Sequence, residues 1–177
     1  MPAPAGCPSI RNYAVTRKNQ TLFCKKQRVI LTKIITGEEI SKSIESTLAN
    51  AVVASDETAM WVSPEDIHEV CKTLKNPDGL DYSFLTAISA VDYIEYFEVV
   101  YHLTSLRNNC SCIIKVKTSG RENPKVQSVS DIWQAADLQE REIWDLMGIK
   151  FEGHPNLKRI LLWEGFDGHP LRKDFIG

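Results

Sequence analysis

No apolar run in this 177-residue chain approaches the ~20 residues that a membrane-spanning helix needs. Glycine is scarce, nine residues in all and nowhere clustered, so no glycine-rich phosphate-cradling loop can be written from it. Neither sign of charge is in excess: 21 Lys and Arg face 23 Asp and Glu, so nothing points to nucleic acid or an anionic membrane surface as the main partner. The five cysteines are odd in number and lack a framework spacing, which fits reduced thiols in the cytosol. Cys24 and Cys71 stand alone. Cys110-Ser-Cys112 is one residue too tight for the Cys-x-x-Cys pairs of zinc and iron–sulfur sites, and in a strand both would point to one face. The start, Met1-Pro-Ala-Pro-Ala-Gly-Cys-Pro8, has neither the basic nor the apolar region of a secretory signal. The expectation is a cytosolic chain that another subunit must hold if it works at a membrane. No Ser or Cys stands in a recognised nucleophile setting, and His68 and His102 occur singly, within a helix and a strand.

What is present is enough for one domain, burying roughly 70% of the surface its unfolded chain exposes. Residues 1–35 read as a weakly ordered lead-in, with a β-branched strand at Arg28–Ile35 near its end. Thr36-Gly-Glu-Glu39 has capping-box form and opens a helix with Ile40, Ile44 and Leu48 on one face. Short strands follow at Ala51–Ser55 and Thr58–Val62. Ser63-Pro64-Glu65-Asp66 reads as a second helix start, serine capping and proline at the first helical position, before Ile67, Val70, Cys71 and Leu74 at helical spacing. Asn76-Pro-Asp-Gly79 ends it. From Phe84 to Asp92, Tyr96 to Thr104 and Ser111 to Lys117 the chain spells a three-stranded antiparallel meander. Ser130-Asp131 is read as the cap of the next helical stretch. The fold class is therefore α+β: a mostly antiparallel sheet of about four to five strands, helices on one face, and an extended irregular C-terminal arm.

The informative stretch is the last forty residues. Ile143 and Met147 lie four apart with Trp144 beside them, among Glu140, Arg141, Glu142 and Asp145, and Gly148 stops the helix. Phe151-Glu-Gly-His-Pro155 then recurs as Phe166-Asp-Gly-His-Pro170, each Gly-His-Pro favouring a turn or extended segment. Between the copies, Asn156–Trp163 is apolar enough for a strand or a buried extended arm. A segment so rich in Trp, Leu and Phe without regular period needs something to lie against, and that can be another chain. Neighbouring residues on a helix point about 100° apart, so Glu140 and Glu142 do not converge on one substrate atom. Arg141 is expected to fork onto a carboxylate of the tail or of a partner. His154 and His169 lack the spacing of a metal site and are expected to pin their turns or touch a partner. The candidate subunit-interface residues are Glu140, Arg141, Glu142, Asp145, His154, Pro155, Arg159, His169, Arg172 and Lys173; no catalytic, cofactor-binding or metal residue is assigned.

The combination Glu-Arg-Glu-x-x-Asp-x-x-Gly-Ile-x-Phe-x-Gly-His-Pro-x-Leu-x-Arg-Ile-Leu from Glu140, followed by Gly-His-Pro-Leu-Arg-Lys-Asp-Phe175, resembles the C-type, 30 kDa subunit family of the proton-pumping NADH:quinone oxidoreductases, or respiratory complex I. The likeness reaches upstream to Phe84–Tyr93, Phe97–Arg107 and Val129–Trp133 and covers residues 60 to 175, while Gln134–Leu138 departs from the family's usual proline and second tryptophan. The resemblance implies a cofactor-free structural subunit of the hydrophilic arm on the cytoplasmic face, docked on the quinone-site (D-type) subunit and neighbouring iron–sulfur subunits. NADH, FMN and the iron–sulfur clusters would belong to those other subunits, and contact with the membrane would be indirect. It divides the chain into the lead-in at 1–35, a body like the family's C-type domain at 36–147 and a docking arm at 148–177. Replacing Glu140, Arg141 or Asp145 is then expected to loosen assembly without altering the monomer's fold. The alternatives are the homologous subunit of a membrane-bound hydrogenase or a ferredoxin-fed, photosynthetic-type dehydrogenase, a stand-alone metal enzyme using His154 and His169, and an unrelated binding module.

Overall fold

The computed structural model describes residues 32–48, 50–76 and 79–176. The expected lead-in, and all but the end of the strand at Arg28–Ile35, lie outside them. That end forms β1 (Lys33–Ile34). At Thr36 the hydroxyl accepts the Glu39 N–H at 3.2 Å, the expected cap, and α1 (Gly37–Leu48) follows. Gly37 is required by packing, since a Cβ there would lie 1.9 Å from the Ala59 carbonyl oxygen. The short strands β2 (Val52–Ser55) and β3 (Met60–Val62) are joined by a turn in which one Asp56 oxygen accepts the backbone N–H of Thr58 and Ala59.

The second helix starts later than its sequence signal. The backbone from Ser63 makes a turn, with Asp66 N–H on the Ser63 carbonyl, and α2 (Ile67–Lys75) begins only afterwards. A proline after serine suits that turn as well as it suits a helix start, which is why the two were not separable in sequence. Ile67, Val70, Cys71 and Leu74 are all buried, each stabilising by about 1.5–3 kcal/mol for the larger side chains.

The meander follows as β4 (Phe84–Asp92), β5 (Phe97–Ser105) and β6 (Cys110–Lys117), paired antiparallel in order. The sheet runs β2-β3-β6-β5-β4, with β1 beside β6. Most pairings are antiparallel, but β3 and β1 both run parallel to β6. Phe97, Val99, Tyr101 and Leu103 of β5 alternate inward, as do Cys110, Cys112, Ile114 and Val116 of β6. They share one core with Ile40 and Ile44 of α1 and the inward face of α2.

Past the polar loop, β7 (Lys125–Gln127) pairs in parallel with β8 (Lys150–Glu152), and between them lies α3 (Ala136–Met147). Ser130 does not cap this helix. Its hydroxyl pairs with Ser128 at 2.8 Å, Ile132 and Trp133 turn back onto the Val129 carbonyl, and the residue preceding α3 is Ala135, with no side-chain cap. Gly148 ends α3 as expected, at φ +75°, donating to the Trp144 carbonyl at 2.9 Å. Ile149 and Phe151 are buried in the core, so the irregular arm runs from Gly153. Asn156–Trp163 is neither strand nor buried arm: Ile160, Leu161 and Trp163 are exposed and no ladder forms there.

Candidate functional site

The two carboxylates that the sequence places on α3 at Glu140 and Asp145 point inward and are fully buried. Glu140 accepts the Ser128 hydroxyl at 2.6 Å and the Val129 N–H at 2.8 Å, which ties the strand-to-helix connection to the middle of α3. Burial outweighs these two bonds and, with the nearby carboxylates of Asp131 and Asp137, pushes Glu140 up to about 7.

Asp145 holds the arm. One oxygen accepts three consecutive backbone N–H groups, Ile160, Leu161 and Leu162, at 3.0, 2.9 and 2.9 Å. The other takes Arg159 at 2.6 Å. Burial pushes the carboxyl up, but the backbone bonds and Arg159 together win and hold it at about 2. Arg159 continues to the Phe166 carbonyl at 2.8 Å and lies 5.9 Å from the rings of both Trp144 and Phe166, so one guanidinium closes the loop on itself. Arg141 donates to the carbonyls of Lys158 and Arg159 at 3.1 and 3.3 Å, fixing the same loop from the preceding turn of α3.

A second anchor lies at the arm's far end, on two residues of the body that carry no signal in the sequence, Asp92 and Arg121. Asp92, at the end of β4, accepts Arg121 through both oxygens at 2.6 and 2.9 Å, and also the Lys173 N–H at 2.9 Å. Arg121 lowers the Asp92 carboxyl well below the usual range. Arg121 pairs in turn with Asp174 at 2.9 Å, and Arg172 donates to the Arg121 carbonyl at 2.7 Å. Both guanidiniums lie over Phe97, at 4.8 and 5.1 Å. A strand-end aspartate and a loop arginine separated by 29 residues share no local pattern that would announce their pairing.

The two histidines act separately. His154, its side chain fully buried, accepts the Asn156 N–H on Nδ1 at 3.0 Å and donates Nε2–H to the Asp137 carbonyl at 3.1 Å and carboxylate at 3.0 Å. His169 donates from Nδ1 to the Asp145 carbonyl at 2.9 Å. Among the described residues no three His, Cys, Asp or Glu side chains form a group that could hold a metal ion. Of the remaining candidates, Glu142, Pro155 and Lys173 are exposed. His68, single on its helix, is three-quarters covered and bonded to Asp131 at 2.9 Å.

The C-terminal glycine of α3 also bears on the arm. A Cβ at Gly148 would lie 2.6 Å from His169 Cδ2, so Gly148→Ala both forces a left-handed alanine, about 1–2 kcal/mol, and displaces the imidazole. The expected result is lost amide protection at Leu171, which donates to the Leu146 carbonyl at 3.0 Å, with the core amides of β5 unchanged. Hydrogen exchange read by mass spectrometry checks it.

Held this way, the arm turns an apolar strip outward. Leu161 is 60% exposed, Trp163 69%, Leu171 58% and Ile176 94%, with Leu138 of α3 at 55%. Trp163 is braced edge-on against Phe166 at 4.7 Å. Among the described residues no catalytic constellation lies beneath it: the buried Glu140, Asp145 and His154 are each occupied by the chain's own backbone and side chains.

The family model described as the respiratory-chain NADH dehydrogenase 30 kDa subunit matches residues 60–177. The chain is 48% identical over 120 residues to the second C-type subunit of NADH-quinone oxidoreductase from Rhizobium meliloti, covering 66% of this chain and 65% of that relative. It is 42% identical over 138 residues to the C-type subunit of the Roseiflexus castenholzii NADH-quinone oxidoreductase, covering 74% and 79%. It is 40% identical over 142 residues to the NADH-ubiquinone oxidoreductase subunit 9 of Reclinomonas americana, covering 78% and 69%. The chain spans just under two thirds of the rhizobial relatives, 65% and 62%. Among solved structures it resembles a chain of the membrane-bound sulfane sulfur reductase, an archaeal respiratory membrane complex, with TM-score 0.60, 28% identity, and coverage of 79% of this chain and 85% of that one.

Proposed function

The chain belongs to the 30 kDa subunit family of respiratory-chain NADH dehydrogenases, and from that premise we propose that it is a cofactor-free assembly subunit of the hydrophilic arm of an NADH:quinone oxidoreductase. It docks on the quinone-site subunit through its C-terminal arm, on the cytoplasmic face of the membrane. NADH oxidation, the flavin and the iron–sulfur clusters belong to neighbouring subunits, and electrons pass to quinone beside this chain and not through it.

One observation supports this reading above the others: an irregular arm, fixed to the body by Asp145 and Asp92, turns Leu161, Trp163 and Leu171 to solvent. An isolated protein gains nothing from ordering a chain to expose its apolar side chains, whereas a docking surface ordered in advance lowers the entropy lost on binding. Among the described residues no helix is long and apolar enough to cross a membrane, and in this reading other subunits supply the attachment. The likeness to a chain of an archaeal respiratory membrane complex favours, as a second reading, the same role in a related membrane complex such as a membrane-bound hydrogenase or a ferredoxin-fed dehydrogenase.

The test is purification of the tagged protein from its native membranes in mild detergent, with co-purifying chains identified by mass spectrometry. Quinone-site and membrane subunits are expected. An NADH-oxidising flavoprotein among them supports the first reading, and its replacement by a nickel-site or ferredoxin-linked component supports the second. Trp163→Ala is expected to lower recovery of the partners by roughly tenfold or more, as loss of a central aromatic anchor does. Full recovery with Trp163→Ala, or a wild-type chain recovered alone, would overturn the assignment.

A further inference from the structure

Among the described residues the three helices share one core with the inward-facing strand residues, and no helix or strand is added over the opposite face of the sheet. Strand alternation puts Trp61 of β3, Glu98 and Val100 of β5, and Ile113, Lys115 and Lys117 of β6 on that side. A solvated sheet face alternates apolar-in and polar-out. This one is furrowed by a groove of about 920 Å³ that crosses its end, from β2 to the β4–β5 turn.

The groove has two aromatic walls. On one side Trp61 is fixed, its Nε1–H on Glu98 Oε2 at 3.1 Å, while Lys115 pairs with the other Glu98 oxygen at 3.2 Å and lies 5.0 Å over the indole. Glu98 itself is buried, only 5% exposed, and is consumed by these two contacts. On the other side Tyr93 and Tyr96 stack at 5.0 Å. The ammonium of Lys117 rests 3.8 Å over the Tyr96 ring, and no carboxylate, including that of Glu95 on the rim, lies within ion-pair distance of it among the described residues. Val53 and Tyr93 stand exposed at the two lips.

We propose that this groove is a second docking surface, which takes an extended segment of a partner protein with an apolar or aromatic side chain seated between Trp61 and Tyr96 and a neighbouring carboxylate on Lys117. Charge complementarity selects the occupant. Lys115 is already neutralised by Glu98, so among the described residues the one cation within the walls that lacks an anion is Lys117. It is itself exposed, so an incoming carboxylate can reach the ammonium where it rests over the Tyr96 ring. A groove that runs across the sheet end from β2 to the β4–β5 turn suits a passing chain and not an enclosed small molecule. The arm's anchors lie on α3 and at the Asp92–Arg121 pair, so the groove gives the protein a separate contact surface on the uncovered side of the sheet. The inference rests on the reading that the chain works inside a larger complex.

The test uses the native membrane complex, with p-benzoyl-L-phenylalanine placed at position 53 in one strain and at position 161, on the arm, in another. Irradiation at position 53 is expected to give an adduct that peptide mass spectrometry maps to a segment of a different chain with an Asp or Glu within a few residues. Lys117→Glu is expected to lower that adduct roughly tenfold, and Lys117→Arg to preserve it, with the thermal midpoint of the purified protein unchanged in both. Adducts only within the same chain or with a second copy, an adduct insensitive to Lys117→Glu, or no adduct at 53 while 161 cross-links would overturn the second surface alone. Failure at both positions would overturn the membrane-complex reading with it.

Discussion

Asp145→Ala detaches the middle of the arm while leaving the sheet and its three helices folded. The substitution strands Arg159 beside the helix and leaves the N–H groups of Ile160, Leu161 and Leu162 without their shared acceptor. Removing one member of a buried, hydrogen-bonded ion pair costs about 3–5 kcal/mol, and here the loss falls on a segment with no ladder or helix to keep it in place. The expected readouts are amide exchange at 160–162 rising towards the rate of an unstructured peptide, and tryptic cleavage after Lys158 and Arg159. Protection unchanged at those three amides would sink the proposal. Asp145→Asn is expected to be nearly as damaging, because a carboxamide has one acceptor oxygen for four donors. The clasp also has a pH limit. Since Asp145 is held at about 2 against an ordinary 3.8, its contribution is complete above about 3.8 and is lost as pH falls towards about 2. For the expectation that Asp145 can be replaced without altering the monomer's fold, the bonds it makes narrow the expected outcome: the sheet and helices stay folded while the middle of the arm comes free.

Glu140→Gln is expected to abolish a pH dependence that runs in the opposite direction. With its carboxyl pushed from 4.5 to about 7, the folded chain retains a proton that the unfolded chain has already released. Stability contributed at this site is therefore highest below about 4.5, declines as pH rises between about 4.5 and 7, and stays low above, by at most about 3 kcal/mol. Glutamine fits the same space: its oxygen accepts the Val129 N–H and its amide donates to the Ser128 hydroxyl, which can rotate towards Ser130. Denaturant melts at pH 5 and pH 8 should differ in midpoint for the wild type and much less for Glu140→Gln. Equal midpoints in the wild type, or the same shift in both proteins, would show that Glu140 ionises normally.

The alternating and helical patterns were legible residue by residue. Thr36 capped α1, Gly148 ended α3, Ile67 to Leu74 faced inward, and the three long strands fell within a residue of their expected bounds, because each depends on neighbours close in sequence. The parallel pairing of β3 with β6, and of β7 with β8, was not legible. Those partners are some fifty and twenty-five residues apart and share no turn chemistry that would announce them.

For the arm, the residue types alone determined that this was the part to examine: a repeated Gly-His-Pro, dense charge on one helix, and Trp and Leu with no period. They did not determine what the charges did. Glu140 and Glu142 are two residues apart, yet one is fully buried on Ser128 and Val129 and the other is exposed, because a helix turns about 100° per residue and only the packed body decides which side is inside. Nor did anything near Asp92 or Arg121 mark them as the arm's second anchor. A buried carboxylate is stable only where enough donors converge on it, and an acceptor at the end of β4 meets its donors from a loop and from the C-terminal arm only after the sheet has formed.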